Sequence, residues 1–408
     1  MRFDQLVFGI TESFVIIGLL LLVGCSSSDS DPEITNSCAG IVDPSPADVT
    51  TIHNTMDSLW TSQQKWTITE EMRFGSGLEE NPIFFSSIRS IDVDHNGYLY
   101  VLDSSPQEIY VFDHNGAYLR TVGSKGSGPD QFENAAAVDV NENGEIWVME
   151  MQLGKLTIVD SLGNYLRTER VNTTGWDYWN YPGGFDKLGR YNAMVLCYKY
   201  EEEESELMLA RYDETFTPLD TIAIPSSSSE IERFTHSSDG STYSMSIPFQ
   251  GSFIWDFSNR GTFWTLLTSE YQLIEMSVGG TPLRQVSNES EKIPVTDADM
   301  DEAIERMQWF VEEGGKIDYA KIPREKPAVE SFFSDDEGNL WVIQSDTTPE
   351  QATSHFDIFN SDGYFLGEIQ APFKLDRTSS SIVKDGIFYG ITLDEEGGQV
   401  IVKSRIEK

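Results

Sequence analysis

The chain has 408 residues, and its 28 basic against 67 acidic side chains leave a net charge of −39. Such a surface repels nucleic-acid phosphates and anionic lipid headgroups, so nucleic acid is excluded as a partner. The length suits one large β domain or two ordinary domains, and aromatic residues at 12% suit pleated β surfaces.

The first feature along the chain is a ten-residue apolar run, Phe14 to Val23. It is too short to span a bilayer and has the length of a signal-peptide core. With it comes Leu22-Val23-Gly24-Cys25, which resembles the bacterial lipobox, although Asp4 and Glu12 dilute the usual positive leader. That resemblance implies a signal peptide over 1–24, cleavage before Cys25 and lipidation of Cys25. The partner is then the membrane, and the expected place is the bacterial cell envelope, lipid-anchored in the outer membrane. Two or more acyl chains, at about 0.8 kcal/mol per buried CH₂, anchor stably. An uncleaved anchor helix is the alternative. Residues 25–64 open with "CSSSDSDPEITNS" and read as a flexible tether. Export permits a disulfide between Cys38 and Cys197; a free, buried Cys197 is the other reading.

Residues 66–74, "WTITEEMRF", alternate like a strand. Two stretches then imitate a calcium loop: "IDVDHNGYLYVLD" (91–103) and "VDVNENGEIWVME" (138–150). A calcium hand needs flanking helices. The residues after Gly97 and Gly144 are β-branched and aromatic, so Glu150 ends a strand roughly 20 Å from the turn at about 3.3 Å per residue. Asp, Asn and Gly together describe a tight turn instead.

That turn recurs at Gly97, Gly144, Gly189, Gly261, Gly338 and Gly386, with spacings of 47, 45, 72, 77 and 48. Three residues before it stand Asp94, Asn141, Asp186, Ser258 and Asp335, with Val383 the exception. Three residues after it stand Tyr100, Trp147, Trp264, Trp341 and Tyr389, with Asn192 the exception. A second half repeats as "EIYVFDHNGAYLRTV" (108–122), "KLTIVDSLGNYLRTE" (155–169), "ARYDETFTPLDTI" (210–222) and "FDIFNSDGYFLGEI" (356–369). Strand, turn, strand, loop, strand, turn, strand is a four-stranded meander. Six in a row predict an all-β, six-bladed β-propeller over 65–408. The aromatic column is expected between blades. The last unit has only three strands, so 66–74 is expected as its outer strand, closing the ring.

"GSKGSGPDQFENAAAVDVNENGEIWVME" resembles the NHL-type repeat, in which a Gly-Pro-x-x-Phe linker leads into the inner strand. The whole is similar to the six-bladed propeller lipoproteins of bacteria. The long gaps hold insertions at 224–244 and about 288–328. The second contains a helix: Met300, Ala303, Ile304, Met307, Phe310 and Val311 recur at helical spacing, Thr296 caps it and Gly314-Gly315 ends it. Its stripe is expected to pack on the propeller; docking a partner is the alternative.

Function is expected on the loop face, at the channel mouth. Trp176, Tyr178, Trp179 and Tyr181 in "TTGWDYWNYPGG" could stack on a sugar or an apolar ligand, or fold back over blade 3. Lys125, Arg233 and His236 are further candidate contacts. The glutamates of "EEEESE" (201–206) read as a solvated loop. Some six-bladed relatives are lyases or lactonases holding a channel metal. Here His53, His95 and His114 lie elsewhere, and His236 and His355 are too few for a three-histidine site. A channel calcium ion would use Asp92, Asp139 and Asp256, which share the position five before the glycine. Turn or strand-end roles explain them more simply, so no cofactor, metal ligand or catalytic residue is assigned. The first reading is a membrane-anchored module that binds or scaffolds a peptide, glycan or partner protein. The alternative is a metal-assisted hydrolase or lyase at the channel mouth.

Overall fold

The computed structural model describes residues 49–408 except 62, 79–80, 151–154, 171–176, 179–183, 186–189, 200–203, 214–215, 224–231, 239–240, 259–260, 278, 349–350 and 377–380. Its local unit is the turn. Asn141 Oδ1 accepts the N–H groups of Asn143 and Glu145, each at 3.0 Å, while Gly144 N–H reaches Asn141 O at 2.9 Å. Asp94, Asp113, Asp160, Asp335, Asn360 and Asp394 repeat this pattern. A short side-chain acceptor pins each turn, and glycine takes the positive φ. The exception at Val383 has a simple cause. There the hairpin has only two turn residues, Asp385 (φ 52°) and Gly386 (φ 71°), so no side-chain acceptor is needed.

These turns build six antiparallel blades around an axis. Blade 1 is Ile88–Val93, Leu99–Asp103, Glu108–Phe112 and Tyr118–Val122. Blade 2 is Ala135–Val140, Ile146–Glu150, Lys155–Val159 and Tyr165–Arg170. Blade 3 has Tyr191–Lys199, Glu204–Tyr212 and Pro218–Ala223, with Asp177–Tyr178 and Gly184–Phe185 pairing along the inner side of Tyr191–Lys199. Blade 4 is Phe253–Phe257, Phe263–Leu267, Gln272–Met276 and Pro282–Asn288. Blade 5 is Val329–Ser334, Leu340–Gln344, His355–Phe359 and Phe365–Gln370. Blade 6 is Ile382–Lys384, Ile387–Leu393 and Gln399–Glu407, completed by Thr67–Phe74 from the other end of the chain. The expected closure is what forms.

The aromatic column lies between blades. Tyr100, Trp147, Trp264, Trp341 and Tyr389 are all buried, each in a core cluster shared with the following blade. Blade 3 has Asn192 in that place, buried, with Nδ2 donating to Arg190 O at 2.8 Å. The small cleft between blades 3 and 4 opens at this point, bordered by Asn192, Arg211, Phe257 and Thr262.

Two expectations need correction. By sequence alone residues 25–64 read as tether throughout, but Thr50–Asn54 forms a fifth strand, parallel to the outer strand of blade 4. The chain then crosses blade 5, where Ser58 Oγ and Trp60 N donate to Leu366 O at 2.6 and 2.9 Å. Trp66 reaches Trp341, with ring centroids 6.1 Å apart. Five polar-flanked residues carry too little pattern to show as a strand; the edge of blade 4 makes them one. Second, the helix Asp297–Glu312 buries a narrower stripe than expected: Ala303, Met307 and Phe310 are buried, while Ile304 and Val311 are exposed. It packs on the other insertion rather than mainly on the blades. Phe234, Met245 and Ile247 meet Met307, Phe310 and Ile322 in one cluster. The expected Thr296 cap is present as a capping box with Asp299. Lys326 Nζ lies 2.7 Å from Asp299 Oδ1 and donates to Asp346 O at 3.2 Å, latching this lobe to blade 5.

Candidate functional site

The connections from each outer strand to the next inner strand, and those from second to third strand, share one end of the ring. Lys125, Arg233 and His236 fall on that face by topology. Lys125 is exposed on the blade 1–2 linker. The linker is held by Phe132, fully buried, whose N–H donates to Ser124 O at 2.9 Å. Gly123 makes room for it: a Cβ there would lie 2.1 Å from the Phe132 ring. Trp176, Trp179 and Tyr181 lie outside the described residues, and Tyr178 is described in its backbone only, pairing with Val195. Cys25 and Cys38 are also outside, as is the Cys197 side chain.

Arg233 and His236 share the hairpin of Arg233–Ser238 and Ser241–Ser246 but face opposite ways. Arg233 is exposed, with Nε donating to Ser244 Oγ at 2.7 Å and Nη1 to Ser246 Oγ at 2.9 Å. His236 stacks on Tyr243 and abuts Gly314 at the helix end. His355 is elsewhere, on blade 5, with Nδ1 3.0 Å from Glu368 Oε1. The described contacts do not bring Lys125, Arg233 and His236 together.

The acids that imitate calcium ligands have main-chain work. Asp103, fully buried, accepts Ser86 and Ser87 N–H at 2.6 and 2.9 Å. Glu150, also fully buried, accepts Glu133 N–H at 2.8 Å and pairs with Lys155 Nζ at 2.5 Å. Both tie an incoming linker to its blade. Asp92 acts across a seam: Oδ1 accepts Val93 N–H and Oδ2 accepts Val140 N–H of blade 2, each at 2.7 Å. Asp256 does the same between blades 4 and 5, its Oδ2 accepting Ser334 N–H at 2.7 Å and Oγ–H at 2.8 Å. Lys384 Nζ reaches Val93 O at 2.8 Å from blade 6. Sequence position marked these acids out; their partners on the next blade could not be read. A third clamp left no sequence signal: buried Tyr271 donates to buried Asp357, which also accepts Gln344 Nε2 at 2.8 Å. Among the described residues no three His, Cys, Asp or Glu side chains converge as metal ligands.

Burial pushes the Asp256 and Asp357 carboxyls up, and burial reinforced by the facing Asp139 charge pushes Asp92 up from 3.8 to about 8. Val140 N–H, Val93 N–H and Lys384 pull Asp92 back, but do not win. The folded value lies above the unfolded one, so folding takes up a proton between these limits. The stability this contributes is complete below about pH 4 and is lost as pH rises towards about 8, at no more than about 1.4 kcal/mol per unit. The urea midpoint is expected to fall between about pH 5 and about pH 8.5, and to fall less in Asp139→Asn, which removes the repelling charge. Equal slopes in the two proteins would count against this assignment.

Residues 80–276 match the DUF5128 family, described as 6-bladed beta-propeller. No curated protein matches in sequence. Among solved structures, the chain is similar to a proposed exported protein of Bacteroides fragilis at 12% identity, TM-score 0.49, covering 88% of this chain and 100% of that one. A member of the DUF4221 family from Bacteroides vulgatus gives 13% identity, TM-score 0.49, and coverage of 84% and 97%. Virginiamycin B lyase from Staphylococcus aureus gives 10% identity, TM-score 0.43, and coverage of 83% and 99%. Blade count, strand order and the family match over 80–276 agree: the chain is a six-bladed β-propeller.

Proposed function

We propose that the protein is a membrane-tethered propeller, held through lipidated Cys25 in the cell envelope, that binds or scaffolds a peptide, glycan or partner protein on its loop face. One observation carries this reading. The acids best placed for channel chemistry, Asp92 and Asp256, are spent on the main chain of the next blade. The loop face, by contrast, is enlarged by a lobe with its own apolar cluster. A metal-assisted hydrolase or lyase would need those carboxylates turned to an ion.

Cross-linking in intact cells, followed by purification of the protein, tests the reading. Trp176→Ala with Trp179→Ala is expected to cut the yield of cross-linked partner at least about tenfold, the scale of losing a stacked aromatic anchor. Unchanged capture retires that site. Cys25→Ser is expected to move the protein from the membrane to the soluble fraction. A stoichiometric ion in the purified protein, removed by chelation together with a hydrolytic or lyase activity, would favour the enzyme.

A further inference from the structure

Thr50–Asn54 shows how this ring takes an added strand. It lies parallel to the outer strand of blade 4, with Ile52 opposite Val286 and Asn54 opposite Asn288. Ile52 and Val286 share a core cluster, and a Cβ on Gly363 would sit 2.4 Å from Val286 Cγ2. Asn54 then bridges to blade 5: Nδ2 donates to Gly363 O and Oδ1 accepts Phe365 N–H, each at 2.9 Å. The crevice thus reads an apolar residue and, two places on, an asparagine.

Another seam repeats these parts. Counted from turn glycines Gly116 and Gly280, Arg120 corresponds to Arg284 and Val122 to Val286. On the following blade Ser161, Gly163 and Tyr165 correspond to Ser361, Gly363 and Phe365. The contacts repeat too. Arg120 donates to Ser161 O as Arg284 donates to Ser361 O, and a Cβ on Gly163 would lie 3.0 Å from Val122 Cγ2. Among the described residues no strand covers this edge of blade 1, and Arg120 Nε is buried there without a hydrogen-bond partner. Other seams differ. Blades 3 and 4 carry Pro218 and Pro282 where Tyr165 and Phe365 have an N–H to give. At the seam from blade 6 to blade 1, Met72 already fills the space beside Gly116.

We propose that the crevice between Tyr118–Val122 and the Ser161–Tyr165 turn takes an extended strand by parallel β-addition, and that this strand is residues 32–36 of a second copy. Glu33-Ile34-Thr35-Asn36 repeats the spacing of Thr51-Ile52-His53-Asn54. Ile34 covers Val122; the Asn36 amide donates to Gly163 O and accepts Tyr165 N–H. Pro32 falls at the first strand position, where proline is tolerated. Charge agrees: Asp29, Asp31 and Glu33 approach an edge carrying Arg120, whose Nε is buried without a hydrogen-bond partner, in a chain of net charge −39. A second copy supplies the strand because the chain enters at the blade 4–5 seam, opposite this one in a ring of six. Only thirteen residues, 37–49, separate Asn36 from Thr50.

The test uses the full chain carrying Ile34→Asp and Asn36→Ala. To it is added a peptide of residues 31–40 with Cys38→Ser. Hydrogen–deuterium exchange at about 1 mM peptide, enough to reveal even a weak complex, is expected to slow at least about fivefold over 118–122 and 164–166. Residues 284–288 should not change. The unaltered chain is expected to sediment as a concentration-dependent dimer and the double variant as a monomer. No slowing over 118–122, or equal slowing by the same peptide with Asn36→Ala, overturns the proposal.

Discussion

A chain that begins at Gly75 is expected not to form a stable ring. It lacks Thr67–Phe74, which pairs along Gln399–Glu407 from Thr67 opposite Glu407 to Phe74 opposite Ile401. Its loss uncovers one edge of blade 6 and removes the buried side chains Ile68 and Phe74, the latter packed edge-on against Phe112 of blade 1 at 5.1 Å. Each such side chain contributes about 1.5–3 kcal/mol on burial. With the ladder bonds and the crossing segment also lost, the deficit approaches the roughly 5–15 kcal/mol that keeps a domain folded at all. Gel filtration and near-ultraviolet circular dichroism should therefore show an aggregated or loosely packed species. A chain that begins at Trp66 keeps the closing strand but loses Thr50–Asn54. It is expected to be a folded monomer with a lower urea midpoint. A cooperative, soluble ring from the Gly75 chain would show that the propeller does not need its closing strand.

Trp341→Ala is expected to be the most costly single change in the column between blades. Trp341 is fully buried at the blade 5–6 seam. Phe333 stacks on it at 5.8 Å, Phe356 and Phe388 lie 5.6 and 6.3 Å away, and its Nε1–H donates to buried Asp335 at 3.1 Å. Replacement leaves a large cavity among rings that cannot all collapse and takes a donor from a buried carboxylate. Losses of about 3–5 kcal/mol are typical of such sites. The matched change Trp147→Ala, at a residue 7% exposed with Arg167 over its ring, should cost less. Urea titration of the two variants side by side checks the order; an equal or smaller loss at Trp341 would refute the argument.

The repeating turn was legible because its cause is local. Asp94, Asn141 and Asp335 bond the N–H groups two and four residues on, so their letters recur wherever the turn does. The aromatic column was legible for a related reason: each blade must cover the next with one large side chain at one position. The candidate site was legible only by place. Topology puts Lys125, Arg233 and His236 on the loop face, but no local rule says that Arg233 bonds Ser244 and Ser246 while His236 turns to the helix end.

By itself the sequence determined the number of blades, the turn chemistry that separates their strands, and the closing of the last blade by residues 66–74. These follow from side-chain bonds a few residues long and from a period counted along one chain. Only the tertiary structure decided which partners distant residues would find. Asp92 was an acid in a strand until Val140 of the next blade came within 2.7 Å, and residues 50–54 were tether until blade 4 offered an edge. Hydrogen bonds across a seam join residues dozens to hundreds of positions apart, so no spacing in the chain announces them.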